Sequence, residues 1–140
     1  MKKTFEPGMF IEKKILTTTE LAAGRFHDSS PKVLSTPSLI AFMQTTCADL
    51  MAPFLDKGEM VVSIRIDMSH FASAPIGSTL NIRAEIVDIK GNTIYFKIDA
   101  FDETEKIASG HNDMFIINEE RFKRGVARKA EQNIKKAKTA

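Results

Sequence analysis

Three histidines (His27, His70, His111), one cysteine (Cys47) and a few polar side chains inside one apolar stretch are the groups from which a reaction could be built. The stretch runs from Ser35 to Phe54, STPSLIAFMQTTCADLMAPF, and only Gln44, Thr45, Thr46 and Asp49 interrupt it. Gln44 takes no proton near neutral pH, so it is neither nucleophile nor base, but its amide both donates and accepts hydrogen bonds. His70 closes an alternating run, Val62, Ile64, Ile66, Met68 and His70. A histidine at the end of an apolar strand face is a candidate general base; its plainer reading is a core histidine bonded to backbone. Thr36 is a candidate at the start of the apolar stretch. Its hydroxyl can cap a helix, and the N–H groups of a helix start suit a carbonyl or an oxyanion. Cys47, among apolar neighbours, reads as core packing rather than as a nucleophile. His27, in an irregular segment, reads as a solvated loop residue.

The elements that must position these groups follow from the pattern. Ser35 or Thr36 caps a helix, Pro37 fits its first position, and Leu39, Ile40, Phe42, Met43, Cys47, Leu50 and Met51 point in nearly every direction around its axis. A helix apolar all round is expected to be enclosed by other structure. Met9 to Thr18 alternates as a strand. Thr19 to Leu34, with Gly24 and Pro31, reads as an irregular lid with room for one helical turn. Four strands follow the helix: Met60 to Phe71, Thr79 to Ile89, Thr93 to Phe101 and Lys106 to Ile117. Lys90-Gly91-Asn92 and Asp102 to Glu105 are polar hairpin loops between them. A strand, a long helix and a run of antiparallel strands give an α+β layer, an antiparallel sheet wrapped around one long central helix.

The 140 residues make one domain with a net charge of +2. No run of about 18 apolar residues predicts a membrane span, and the first twenty residues lack a signal-peptide core. A single cysteine excludes an internal disulfide and fits a reducing cytoplasm. Charge is uneven: Glu119 to Ala140 carries +5 and the remainder −3. This basic end reads as a solvated terminal helix or frayed tail that can attract phosphates. The histidines have no metal-ligand spacing, and there is no Gly-rich phosphate loop or G-x-S-x-G. Basic-aromatic clusters such as Phe122-Lys123-Arg124 are too sparse for nucleic-acid reading. Neither membrane nor nucleic acid is expected as a partner.

Three pieces carry a resemblance to a known family: the Thr-led helix ending in LMAPFLDKGE, then SHFASAPIGSTLNIRAEIVDIKGNTIYFKIDAFDE, then EKIASG. Their most specific part is MSHFASAPIGSTL. Together they make residues 34 to 122 similar to hot-dog fold acyl-CoA thioesterases, in the fluoroacetyl-CoA thioesterase-like branch. The resemblance implies a hot-dog domain over residues 1 to 122, with the lid at about 19 to 34 and a basic tail from 123 to 140. It implies a homodimer or dimer of dimers joined edge to edge, with the pocket at the subunit interface. A catalytic Thr, a Glu eight residues later and a His map onto Thr36, Gln44 and His70. Glutamine therefore stands where the family has a carboxylate. In IASGHNDMF, the residues His111, Asn112, Asp113 and Met114 stand where the family shows Thr-His-Glu-Arg, and the lid lacks the phenylalanines that recognise fluorine. Fluoroacetyl-CoA is therefore not the expected substrate.

The expected reaction is hydrolysis of a small or medium acyl-CoA thioester, with coenzyme A entering only as part of the substrate and no other cofactor or metal. His70 acts as base or orients water, Gln44 positions carbonyl or water, and Thr36 assists. Eight residues place Gln44 about 12 Å along the helix from Thr36, so the two flank a substrate without touching. Thr45, Thr46 and Asp49 are alternatives for polar work on the helix. Ser63, Ser69, Phe71 and His111 are the candidate substrate-binding residues. The rival reading is a non-hydrolytic acyl-CoA or small-ligand binding protein that lost the carboxylate; a dehydratase-type hot-dog is a third.

Overall fold

A computed structural model of the chain describes residues 4–23 and 32–139. The order is β1 (Phe10–Leu16), α1 (Thr36–Met51), β2 (Glu59–His70), β3 (Thr79–Lys90), β4 (Thr93–Phe101), β5 (Lys106–Asn118) and α2 (Glu119–Thr139). The strands form one antiparallel sheet in the order β1-β3-β4-β5-β2, with β1 and β2 at its edges. One-turn 3-10 helices occupy Thr19–Leu21 and Ala52–Phe54, the first being the single turn expected in the lid. His27 lies outside the described residues.

The alternation read in β3 and β4 holds. Leu80, Ile82, Ala84 and Ile86, and Ile94, Phe96, Ile98 and Ala100, are fully buried against α1 and the rest of the core. Gly91 takes a φ of 60° in the turn between them, a conformation that side chains other than glycine, asparagine or aspartate rarely adopt. In β2 the expected face breaks. Ser63 pairs with Met114 and Arg65 with Asp113, so Ile64 is an extra, bulged residue and is 58% exposed. The bulge changes the phase of the strand. His70, Met68 and Ile66 share the inner face with Ser63 and Val61, opposite Ala108, Gly110, Asn112, Met114 and Ile116 of β5. Val62 and Ile64, expected beside them, do not.

Helix α1 also differs from its expected surroundings. Leu39, Met43, Thr46, Cys47, Leu50 and Met51 are buried, while Ala41, Gln44, Thr45 and Asp49 are exposed. One five-stranded sheet covers one side of a helix; among the described residues nothing covers the other. The helix begins at Thr36, so Pro37 is its second residue rather than its first. Asp49 on the exposed flank pairs with Lys13 of β1. Burial pushes the Cys47 thiol up to about 12. Asn112 beside it opposes the shift in part, through a contact too loose to satisfy the amide, since neither Asn112 side-chain atom has a hydrogen-bond partner among the described residues. A thiol held protonated inside the core is packing, as the sequence suggests.

The basic end is a continuous helix. α2 starts at Glu119, so the division expected between Phe122 and Lys123 falls inside it, and none of its residues is buried. Among the described residues no helix is long and apolar enough to cross a membrane.

Close approach of β2 to β5 depends on Gly110. A Cβ there would lie 2.2 Å from the Asp67 carbonyl oxygen and 3.0 Å from the Met68 Cα. Both obstacles are backbone, so the strand would have to move. Gly110→Ala is expected to destabilise the fold by about 1–3 kcal/mol or more in denaturant unfolding. An unchanged midpoint would show that β2 is not held this tightly.

Candidate active site

The start of α1 is built from two adjacent hydroxyls that do different jobs. Ser35 is the N-cap: its Oγ accepts from the Ser38 N–H at 3.2 Å and donates to the Ser38 Oγ at 2.7 Å. That satisfies a first-turn donor and leaves Thr36 free of capping duty. The Thr36 Oγ1 instead lies 2.9 Å from the Nδ1 of His70, at the last position of β2. Residues 34 apart in sequence meet because the cap is fixed from both sides. Leu34 N–H donates to the Ala74 carbonyl and Ser35 N–H to that of Leu21, while Phe71 N–H donates to that of Ile107.

This pair borders a cleft of about 300 Å³ lined by Ala23, Val33, Leu34, Ser35, Thr36, His70, Phe71, Ala72 and Ser73. His70 is the only titratable side chain among these lining residues. Its ring works in either of two tautomers. If Nδ1 accepts from the Thr36 hydroxyl, Nε2 carries the proton and the hydroxyl oxygen is polarised towards attack. If Nδ1 donates to Thr36 Oγ1, Nε2 is the basic nitrogen. Nε2 is buried and has no partner among the described residues. Of the first-turn donors, Pro37 has no N–H, Ser38 N–H is bonded to Ser35 Oγ and Leu39 N–H to the Ser35 carbonyl. For the Thr36 N–H no acceptor is found among the described residues. Among the described residues the cleft thus brings together an imidazole and the Thr36 hydroxyl, with no carboxylate, lysine or arginine in its lining.

The other candidates, Phe71 apart, lie elsewhere. Phe71 lines the cleft and is 57% exposed. Ser69, next to His70, is exposed on the opposite face of β2, as alternation requires. His111 is also on the outer face, its Nδ1 3.4 Å from the Asp67 Oδ1, with Arg65 on the same carboxylate at 3.5 Å. Ser63 faces inwards with its Oγ buried and without a partner among the described residues, but it does not border the cleft. Gln44 is exposed and does not border it either. It sits about 140° around the helix from Asp49, which meets β1, and so on the flank towards the β2 edge. Thr45 and Thr46 donate back to the Phe42 carbonyl, at 3.2 and 2.6 Å, and do not border the cleft. No group of three or more metal-ligating side chains occurs among the described residues. Sequence reasoning passed over Val33-Leu34 and Ala72-Ser73, which form the cleft walls. Their signal is an apolar pair just before the cap and a run of small residues just after the histidine.

Comparison with known proteins decides the family. The model of the fluoroacetyl-CoA-specific thioesterase FlK matches residues 17–120, about three quarters of the chain. The chain belongs to the FlK family. It is 30% identical over 99 residues to the fluoroacetyl-CoA thioesterase of Streptantibioticus cattleyicolor, 71% of each protein. A crystal structure of a single-substitution mutant of FlK superposes with a TM-score of 0.84 at 25% identity, covering 91% of this chain and 99% of that one. A thioesterase superfamily member from Thermus thermophilus has a TM-score of 0.86 at 22% identity, over 93% and 96% of the two chains. A hot-dog-like protein from Thermanaerovibrio acidaminovorans has 0.85 at 15%, over 89% and 93%. The last two speak for the fold, which is a hot-dog. The family match stops two residues into α2.

The division of labour between the two hydroxyls separates stability from chemistry. Ser35→Ala is expected to cost about 1 kcal/mol of stability through the lost cap. Thr36→Val is expected to leave the unfolding midpoint close to wild type while abolishing the contact to His70. A midpoint that falls more for Thr36→Val than for Ser35→Ala would reassign Thr36 as the structural residue.

Proposed function

We propose that this chain hydrolyses the thioester of a small or medium acyl-CoA at the Thr36–His70 cleft, as a cytoplasmic homodimer. The observation that carries the reading is the 2.9 Å contact between Thr36 Oγ1 and His70 Nδ1 beside a cleft of about 300 Å³, with capping assigned to Ser35. Membership of a thioesterase family supports the reaction class.

In this reading the acyl carbonyl lies against the Thr36 N–H and hydroxyl, where a helix start favours developing negative charge. His70 accepts the proton of the attacking water as its oxygen bonds to the carbonyl carbon. The tetrahedral intermediate collapses with cleavage of the C–S bond, and the proton passes from His70 to the leaving thiolate. The products are a carboxylic acid and coenzyme A, and no group beyond substrate and water is consumed. Gln44 sits too far along α1 to share an atom with His70, so it contacts another part of the bound thioester, or its water, as an uncharged donor and acceptor.

The dimer is supported by the β2 edge. It is twelve residues long with its far side unpaired among the described residues, and an open edge of that length is normally covered. Gln44 lies on the helix flank towards that edge, which a second subunit would cover. Ser63, Ser69, Phe71 and His111 are proposed as substrate contacts, with Phe71 at the cleft wall supporting its own assignment best.

The test is thiol release from a panel of acyl-CoAs from acetyl to long-chain and aromatic. Turnover is expected with short and medium chains, and His70→Ala should lower kcat/KM by about 100-fold or more. Gln44→Glu should lower it too, because a charged group would replace a neutral one already positioned. Tight binding without release on any chain would overturn the enzyme in favour of an acyl-CoA binding protein. A rise of orders of magnitude in Gln44→Glu would mark the natural chain as a disarmed relative.

A further inference from the structure

We infer that α2 is a docking element for anionic lipid surfaces. Among the described residues its main contact with the body is at its root, against β5, and none of its 21 residues is buried. The helix is specified by local signals: the Asn118 Oδ1 accepts from the Arg121 N–H, Glu119 and Glu120 lie in the first turn, Lys136 and Lys138 in the last, and Glu119 pairs with Lys123 at 2.8 Å. A helix that forms without packing still needs a use for its faces.

Those faces are segregated. At about 100° per residue, Phe122, Val126, Ala130, Ile134 and Ala137 fall within an arc of about 120°. Arg121, Arg124, Arg128 and Lys135 fall within an arc of about 60° on the opposite side. The Glu119–Lys123 pair and Asn133 interrupt the stripe without breaking its line. Phe122, Val126 and Ile134 are 44%, 52% and 57% exposed. At the root of the helix Phe122 borders an apolar groove of about 410 Å³ with Phe115 and Ile117, where Arg121 supplies a cation. The apolar surface therefore continues from the stripe onto the sheet.

Charge selects the occupant. Residues 119 to 140 carry +5 while the remainder of the chain carries −3. A second copy of α2 would bring like charge to like charge. A nucleic acid would use the cations and leave the stripe in water. A bilayer surface with acidic headgroups uses both faces, the stripe entering the headgroup boundary and the long cationic side chains reaching back to the phosphates. The helix lies in that boundary and does not cross it. Such docking does not depend on the Thr36–His70 reading, because α2 lies almost wholly beyond the family-matched residues.

The test is co-sedimentation of the full chain with phosphatidylcholine vesicles containing about 30% phosphatidylserine, compared with pure phosphatidylcholine. Binding is expected to the anionic vesicles only, and to weaken about tenfold or more on going from about 50 to 500 mM salt. The pair Phe122→Ser with Ile134→Ser should weaken vesicle binding about tenfold and leave binding to polyuridylate unchanged. Arg124→Glu with Arg128→Glu should weaken both, while Arg124→Lys with Arg128→Lys retains vesicle binding. Circular dichroism of each variant checks that α2 remains helical. No vesicle binding at low salt would overturn the inference. So would vesicle binding indifferent to the Phe122/Ile134 pair, which would make the helix a general polyanion binder. Displacement from vesicles by free coenzyme A would overturn it as well, by placing α2 at the coenzyme's phosphates.

Discussion

The contact between Thr36 and His70 exists because a neighbour does the capping. Every helix start carries N–H groups in need of acceptors, and the first hydroxyl available is usually spent on them. Here Ser35 takes that role, and Thr36, one residue further in, keeps its hydroxyl for the histidine at the end of β2. The backbone bonds that hold residues 34 and 35 against Ala74 and Leu21 fix the separation of the two elements. The cleft and the orientation of the imidazole both depend on that seating.

The sheet imposes a second constraint. An inward histidine at the end of β2 requires the strand's phase to be right over its last five residues, and the bulge at Ile64 resets it just before them. The same inner face carries other polar groups, Ser63 and Asn112, buried and without partners among the described residues. Unsatisfied polar atoms are costly in a core, so the interior beneath the β2 edge is less apolar than the rest. The covered side of the sheet, centred on β3 and β4, has no such atoms facing α1 among its buried residues, and it supplies the stable frame.

The fold was legible where one physical signal decided it. Ile94, Phe96, Ile98 and Ala100 alternate with polar residues, so only one register buries them. The run Met60 to Ile64 is apolar at both parities apart from Ser63, and it contains nothing to mark an extra residue; the bulge was therefore invisible. α1 has apolar residues on nearly all sides, which reads as full enclosure. The described residues enclose half, and the flank with Gln44 is left exposed. At the site, two adjacent hydroxyls before Pro37 left the cap ambiguous, and tertiary contact with His70 resolved it. Ser69 and His111 follow from chain proximity or family resemblance, and strand alternation turns both to the outer face. The basic end was read from charge alone, whereas its division into two faces required knowing that it is one helix.

The central claim is that Thr36 and His70 act as one chemical unit. A double-mutant cycle on kcat/KM for acyl-CoA hydrolysis, with Thr36→Val, His70→Ala and the pair, tests it most directly. A single unit predicts that the double variant loses no more than about tenfold beyond the worse single variant, because either change already breaks the pair. Losses that multiply would mean that the two side chains contribute independently, and would contradict the account.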